Sequence, residues 1–192
     1  MRMELYEHSK VVTGILVGFA LTVLLGGVAR IVQNPRRWQI YWIHLAWVVF
    51  AFFYVISFWW WEFWLQKLPS WNFPLYLFVT LYGVLLYLLC ALLMPGDLDG
   101  YEGFRDYFYS RRQWIFGVMA AICIVDFIDS AIKGTGRLHL LGSEYVEIQA
   151  VSLLCTIVAM RTRNVLFHAA FAVVSTLYQG FYYLRFLFKV SA

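Results

Sequence analysis

The sequence predicts an all-α, polytopic membrane protein with six transmembrane helices joined by short loops. Hydrophobic residues make up 62% of the 192 residues and charged residues only 14%, whereas soluble domains contain about 45–50% apolar and about 25% charged residues. A chain of this length has too little interior to hide that much apolar surface from water. The composition therefore excludes a cytosolic enzyme, a secreted disulfide-rich domain and a disordered chain.

Six runs of residues are apolar and long enough to cross a bilayer. A transmembrane helix needs about 20 mostly apolar residues to cross about 30 Å of hydrocarbon. We therefore predict one integral-membrane domain over residues 1–192, with spans at 10–32, 40–65, 73–94, 114–132, 144–160 and 165–188.

The breaks between these runs are short and rich in proline, glycine and charge. Residues 34–37 and 67–70 each contain a proline, and residues 134–136 contain two glycines. The largest polar stretch is 95–113. Only residues 161–164 separate the last two spans, which predicts an antiparallel helical hairpin there.

The distribution of basic residues predicts the orientation. Six crossings place both termini on one face of the membrane, and lysines and arginines divide almost evenly between the two faces. The face opposite the termini carries only arginine, concentrated in short loops. The positive-inside tendency then favours that face as cytoplasmic and predicts a multi-pass protein with both termini outside.

The first span carries small residues at regular intervals of four. Gly14, Gly18, Thr22 and Gly26 fall on one helix face, where small side chains let a second helix approach closely. We expect this face to pack against a neighbouring helix of the same chain or against a second copy.

The most informative charged residues are two aspartates within the fourth span, Asp126 and Asp129. An ionised side chain at membrane depth costs about 2.5–3.5 kcal/mol on insertion scales, so it needs a polar partner. Their i, i+3 spacing places both carboxylates on one helix face, where like charges in a low dielectric favour a shared proton. Lys133, four residues after Asp129, is placed to pair with it.

Glu62 ends the second span and Glu147 begins the fifth, and both lie on the same face of the membrane as Asp126 and Asp129. They either line the mouth of a path that leads to Asp126 or simply reach the headgroup region. A converging set of acids concentrates protons and cations. The pattern therefore predicts an ion pathway through Asp126, Asp129, Glu62 and Glu147.

Two histidines support an alternative function. His44 and His168 each lie about four residues into a span, at similar depth. Histidines on facing helices can ligate a b-type haem, so a haem-binding electron carrier is the alternative prediction.

Motifs for enzymatic chemistry are absent from the sequence. It contains no Gly-x-Ser-x-Gly, His-Glu-x-x-His, P-loop or Gly-x-Gly-x-x-Gly pattern. Cys90, Cys123 and Cys155 lie in apolar runs without metal-ligand spacing, and the scattered basic residues do not indicate nucleic-acid binding. Outside the haem alternative, no metal or cofactor is expected.

The leading prediction is a non-enzymatic channel or carrier for protons or monovalent cations in a lipid bilayer. We expect a homo-oligomer, because one 192-residue bundle is small for a transport path of its own. A scaffold or accessory subunit without transport activity is a further alternative.

Two stretches of the sequence are similar to those of a group of bacterial membrane proteins. Residues 6–10 (Tyr-Glu-His-Ser-Lys), followed by the glycine-rich first span and the tryptophan-rich residues 57–64, resemble small six-helix inner-membrane proteins of bacteria. The resemblance implies the six-helix fold and a location in the inner membrane.

Overall fold

The chain is almost entirely α-helical, as predicted. The computed structural model describes residues 2–142 and 144–190, with side chains described for 5–142 and 144–185. Helices take up 84% of the chain, and the described residues contain no strand. A 3₁₀ helix, Glu62–Lys67, continues the second of seven α-helices, which are α1 Arg2–Gln33, α2 Trp42–Trp61, α3 Phe73–Leu93, α4 Phe104–Ile132, α5 Thr135–Leu141, α6 Glu144–Arg161 and α7 Val165–Val190.

Five helical segments in the described part of the chain are long and apolar enough to cross a membrane. They are Leu5–Gln33, Trp42–Lys67, Phe73–Leu93, Phe104–Ile132 and Val165–Arg185. The predicted span at 144–160 coincides with α6, which meets the same criteria only together with α5, and the two helices are bent by 78° to each other. The structure thus contains five candidate spans, or six if α5 and α6 form one broken span.

The outer surface of the bundle is apolar in the manner of a lipid-facing surface. On α7, Leu166, Val174 and Leu177 are 64–79% exposed. On α6, Val151 and Leu154 are 59% and 63% exposed. Soluble monomers rarely expose contiguous apolar surface of this kind, so these faces are compatible with contact to lipid.

Side-chain caps fix where two of the helices begin. Asn72 precedes α3, and its Oδ1 accepts a hydrogen bond of 3.0 Å from the backbone N–H of Leu75. Asn164 precedes α7 and accepts hydrogen bonds from the N–H groups of Leu166 and Phe167 at 2.9 and 3.2 Å. Such caps satisfy N–H groups that have no partner within the helix.

The helices pack in a ring that is incompletely closed. In turn, α6 packs on α4, α4 on α3, α3 on α1, α1 on α2, and α2 on α7. Although only residues 162–164 link α6 to α7, these two helices make few contacts with each other. The predicted hairpin is therefore open, because each helix packs on a different partner. We call the loosely packed gap between α6 and α7 the α6–α7 seam.

Contacts between helix ends define the two ends of the bundle. At the end of the bundle where α1 begins, which we call the terminal end, the rings of Tyr6 and Trp71 are in contact. Helix α1 therefore begins beside the start of α3. At the opposite end, which we call the arginine end, Arg30 donates a hydrogen bond to the carbonyl of Pro95 and Arg37 pairs with Asp97.

The fourth span begins earlier than predicted, at Phe104 rather than residue 114. Phe104 and Phe108 are 3% and 0% exposed, and Tyr107 lies on the same buried face. Because these aromatic residues have i, i+3, i+4 spacing, they form one apolar helix face that packs on the core. Residues 104–113 of the polar stretch are therefore helical. The short helix α5 was not predicted either. It lies between Gly134 and Gly142, whose φ angles of 89° and 86° favour glycine.

Aromatic side chains fill the half of the bundle near the arginine end. The Trp47 ring contacts the rings of Phe116 and Phe171, with centroids 5.5 and 5.0 Å apart. Phe108 contacts Phe116 in turn, and Trp47, Phe108 and Phe116 are fully buried. This aromatic core occupies the interior on that side.

Helix α1 packs on α3 through glycines other than the regularly spaced small residues of α1. We call those residues, Gly14, Gly18, Thr22 and Gly26, the small-residue stripe. A Cβ atom added to Gly27 would lie 2.6 Å from Met94, and one added to Gly83 would lie 3.0 Å from Leu16. Within the stripe, Gly14 lies against Trp59, whereas no described atom would come within 4 Å of a Cβ on Gly18. Thr22 is also exposed.

Candidate functional site

A buried ion cluster joins the C-terminal ends of α2 and α4, which lie at the terminal end of the bundle. Lys133 Nζ lies 2.5 Å from Asp129 Oδ2 and 2.8 Å from Glu62 Oε1. The three side chains are only 1–8% exposed. The predicted Lys133–Asp129 pair is confirmed, and Glu62 joins it as a second carboxylate because the 3₁₀ helix turns this residue inward.

A second base, Arg137, lies close to this cluster on α5. The residue is 5% exposed, and its guanidinium carbon lies 3.9 Å from the centroid of the Trp61 ring, which is cation–π geometry. Its Nε and Nη1 atoms find no hydrogen-bond acceptor among the described residues. Two buried bases thus stand with two buried acids, Glu62 and Asp129, and their formal charges cancel.

Asp126 is held by a separate network of neutral donors from two neighbouring helices. Tyr82 of α3 donates to Asp126 Oδ1 at 2.9 Å. Tyr145 and Gln149 of α6 donate to Oδ2 at 2.7 and 2.8 Å. The Tyr54 hydroxyl lies 3.1 Å from that of Tyr82 and extends the network to α2.

The two aspartates therefore have different surroundings. Asp129 is 4% exposed and bonded to a lysine, whereas Asp126 is half-buried. Across the described side chains, no lysine or arginine nitrogen lies within 4 Å of the Asp126 carboxylate. The i, i+3 spacing does put both residues on the inward face, but each carboxylate has its own partners, and Asp129 Oδ1 has no hydrogen-bond partner among the described residues.

Two neighbouring cavities lie between α2, α4, α6 and α7. The polar cavity, about 100 Å³ in volume, is lined by both aspartates, Lys133 and Arg137. The apolar cavity, about 400 Å³, lies beside it along the α6–α7 seam. Residues that line both cavities are Tyr54, Ile148, Gln149, Tyr178 and Gln179.

Glu62 and Glu147, predicted to line the mouth of the site, lie elsewhere. Glu62 lines a third cavity between α1 and α2, together with Tyr6 and Lys10. Glu147 is exposed and lines the apolar cavity. The structure thus brings Asp126 and Asp129 into one cavity that neither glutamate lines, although Glu62 bonds to Lys133 in its wall.

The two histidines proposed as haem ligands are packed in the aromatic core. His44 and His168 are fully buried, and the Phe108 ring contacts both imidazoles, at 5.9 and 5.3 Å between centroids. Their Nε2 atoms are bonded to the backbone carbonyls of Leu93 and Thr162. Both Nε2 atoms are thus engaged by carbonyl groups, and both imidazoles pack against the Phe108 ring.

Four residues of the site were not identified from the sequence, namely Tyr82, Arg137, Tyr145 and Gln149. The i, i+4 spacing of Tyr145 and Gln149 places two polar side chains on one face of α6, and this signal was available. Arg137 carried no such signal, because its position depends on the unpredicted helix α5.

The chain matches no known protein family, no curated protein and no solved structure.

Proposed function

We propose that this protein is a small membrane carrier of protons and that Asp126 is the residue that binds the proton. The observation behind this proposal is the charge balance of the site. Glu62 and Asp129 offset Lys133 and Arg137, which leaves the half-buried Asp126 carboxylate as the fifth charge, without a basic partner among the described side chains. An ionised carboxylate at membrane depth needs a polar or charged partner, and a proton or a cation can supply it.

The donors around Asp126 favour a proton over a sodium or potassium ion. Both carboxylate oxygens already accept hydrogen bonds from O–H or N–H groups. A hard metal cation needs oxygen ligands with free lone pairs. A proton needs only one oxygen, and the hydroxyls of Tyr82 and Tyr145 can rotate to act as acceptors once it binds.

The aromatic core favours a carrier over an open channel. Trp47, Phe108 and Phe116 fill the interior between the polar cavity and the arginine end. A proton on Asp126 therefore needs a conformational change to leave on that side. We propose that α5 and α6 form a broken sixth span and supply this movement, since Gly134 and Gly142 flank α5 and α6 packs little on α7.

We further propose a homo-oligomer in a bacterial inner membrane, with the arginine end in the cytoplasm. The outward-facing Gly18 and Thr22 offer a surface for close helix contact between copies. The substitution Gly18→Leu is expected to lower the oligomeric mass measured by light scattering in detergent. An unchanged mass would place the subunit contact on another face.

Reconstituted liposomes test the transport proposal. With a pH gradient and valinomycin to balance charge, the intact protein is expected to carry protons at a rate well above that of protein-free vesicles. Asp126→Asn is expected to reduce the flux to that background. The matched control is Asp97→Asn, because Asp97 lies in an exposed loop, where it pairs with the surface residue Arg37 and accepts a hydrogen bond from the backbone N–H of Leu98. Absence of flux through the intact protein would refute the proposal.

A further inference from the structure

The apolar cavity has the lining expected of a binding site for an organic cation. Among the described residues, its only charged lining residue is an acid, Glu147, and its wall includes the aromatic side chains of Phe50, Tyr54, Phe171 and Tyr178. Aromatic faces attract cations when they are shielded from water. The volume of about 400 Å³ falls within the range of small-molecule sites, about 300–1,000 Å³.

The polar cavity supplies a counter-charge at the inner end of the apolar cavity. Gln149 lines both spaces and donates to Asp126, and Tyr54 reaches the same carboxylate through Tyr82. An organic cation in the apolar cavity thus has Glu147 in its lining and Asp126 behind Gln149 and Tyr82 in the adjoining polar cavity. Because such a cation carries a diffuse charge, it does not need to displace the hydrogen bonds that Asp126 already accepts.

The position of the apolar cavity suits a ligand that enters from the lipid. It lies along the α6–α7 seam, where the two helices make few contacts. The flanking surfaces of α6 and α7 are apolar, with Val151 and Val174 both lining the cavity and exposed on the outside. A lipophilic cation that partitions into the bilayer would reach the aromatic lining without crossing bulk water.

We infer that the protein binds lipophilic organic monocations, such as aromatic ammonium or phosphonium ions, in the cavity between α2, α4, α6 and α7. The cation and the proton then compete for the charge of Asp126, so that one cation leaves when one proton binds. This exchange rests on the proposed function, whereas the binding itself does not.

Other ionisable groups surround the carboxylate for which the cation and the proton compete. The ionisable groups that face Asp126 from the surrounding helices are Tyr54, Glu62, Tyr82, Cys123, Asp129, Tyr145 and Tyr182, together with the bases Lys133 and Arg137.

Binding of tetraphenylphosphonium to the purified protein in detergent tests this inference. Tetraphenylborate, which has nearly the same shape and the opposite charge, is the matched ligand control. The phosphonium ion is expected to bind and the borate is not. Asp126→Asn is expected to weaken phosphonium binding at least tenfold, and Asp97→Asn should leave it unchanged. Equal binding of the two ions, or binding that Asp126→Asn does not alter, would overturn the inference.

A variant that fills the apolar cavity separates this inference from the proposed function. Ser152 is a half-buried lining residue one helical turn beyond Gln149, and its side chain is not among the donors to Asp126. Ser152→Phe is expected to abolish phosphonium binding while proton flux through Asp126 persists. Phosphonium binding by a protein that carries no protons would refute the proposed carrier and leave the binding site standing. Proton flux without phosphonium binding would refute the binding site alone.

Discussion

Lys133 Nζ lies 2.8 Å from Glu62 Oε1 and thereby ties the end of α4 to the end of α2. The same ammonium group bonds Asp129 at 2.5 Å. One buried lysine thus bonds one oxygen of a carboxylate at the end of each of two helices, and Lys133 and Asp129 line the polar cavity in which Asp126 lies.

Replacing this lysine is expected to cost more stability than replacing any exposed lysine. Lys133→Met leaves Glu62 and Asp129 buried without a cation, and breaking a buried pair in this way costs about 3–5 kcal/mol. The matched control is Lys10→Met, since the Lys10–Glu7 pair is 48–59% exposed and such pairs contribute at most about 1 kcal/mol. Unfolding in mixed detergent micelles measures both. Equal losses for the two variants would contradict the structure.

The tyrosines around Asp126 are expected to affect transport more than stability. Tyr145→Phe removes the 2.7 Å hydrogen bond to Oδ2, and hydrogen bonds inside membranes contribute only about 0.6 kcal/mol on average. We expect a folded protein with a lower rate of proton flux in liposomes. Tyr87→Phe is the control, because Tyr87 is 38% exposed on the outer surface of α3. A flux unchanged by Tyr145→Phe would exclude Tyr145 from the proton path.

Glycine substitutions distinguish the two faces of α1. A Cβ on Gly27 would lie 2.6 Å from Met94, so Gly27→Ala overpacks the contact of α1 with the α3 end at a cost of about 1–3 kcal/mol. Gly18→Ala adds a Cβ where no described atom lies within 4 Å and is expected to be neutral. Thermal unfolding in detergent compares them. A greater loss for Gly18→Ala would show that the outward face is the more tightly packed one.

The helices were predictable because length and apolarity alone define a membrane span. The spans at 40–65 and 73–94 agree closely with Trp42–Lys67 and Phe73–Leu93. The extension of α4 to Phe104 was not predicted, because Phe104, Tyr107 and Phe108 stand in a polar stretch whose average hydropathy is too low to indicate a span.

The site was only partly predictable because its contacts join helices distant in sequence. The Lys133–Asp129 pair is local, with i, i+4 spacing, and the sequence predicted it. The hydrogen bond from Tyr145 to Asp126 depends on α6 packing against α4, and hydropathy does not indicate which helices are neighbours. For the same reason, Glu147 could not be assigned to the apolar cavity in advance.

Proton uptake at Asp126 is the central claim, and acid-induced infrared difference spectroscopy of the purified protein tests it most directly. Lowering the pH is expected to produce a carbonyl stretching band of a protonated carboxyl group that is present in the intact protein and in Asp97→Asn. The same band is expected to be missing from Asp126→Asn. If the spectra of the intact protein and Asp126→Asn superimpose, Asp126 does not bind the proton and the account is wrong.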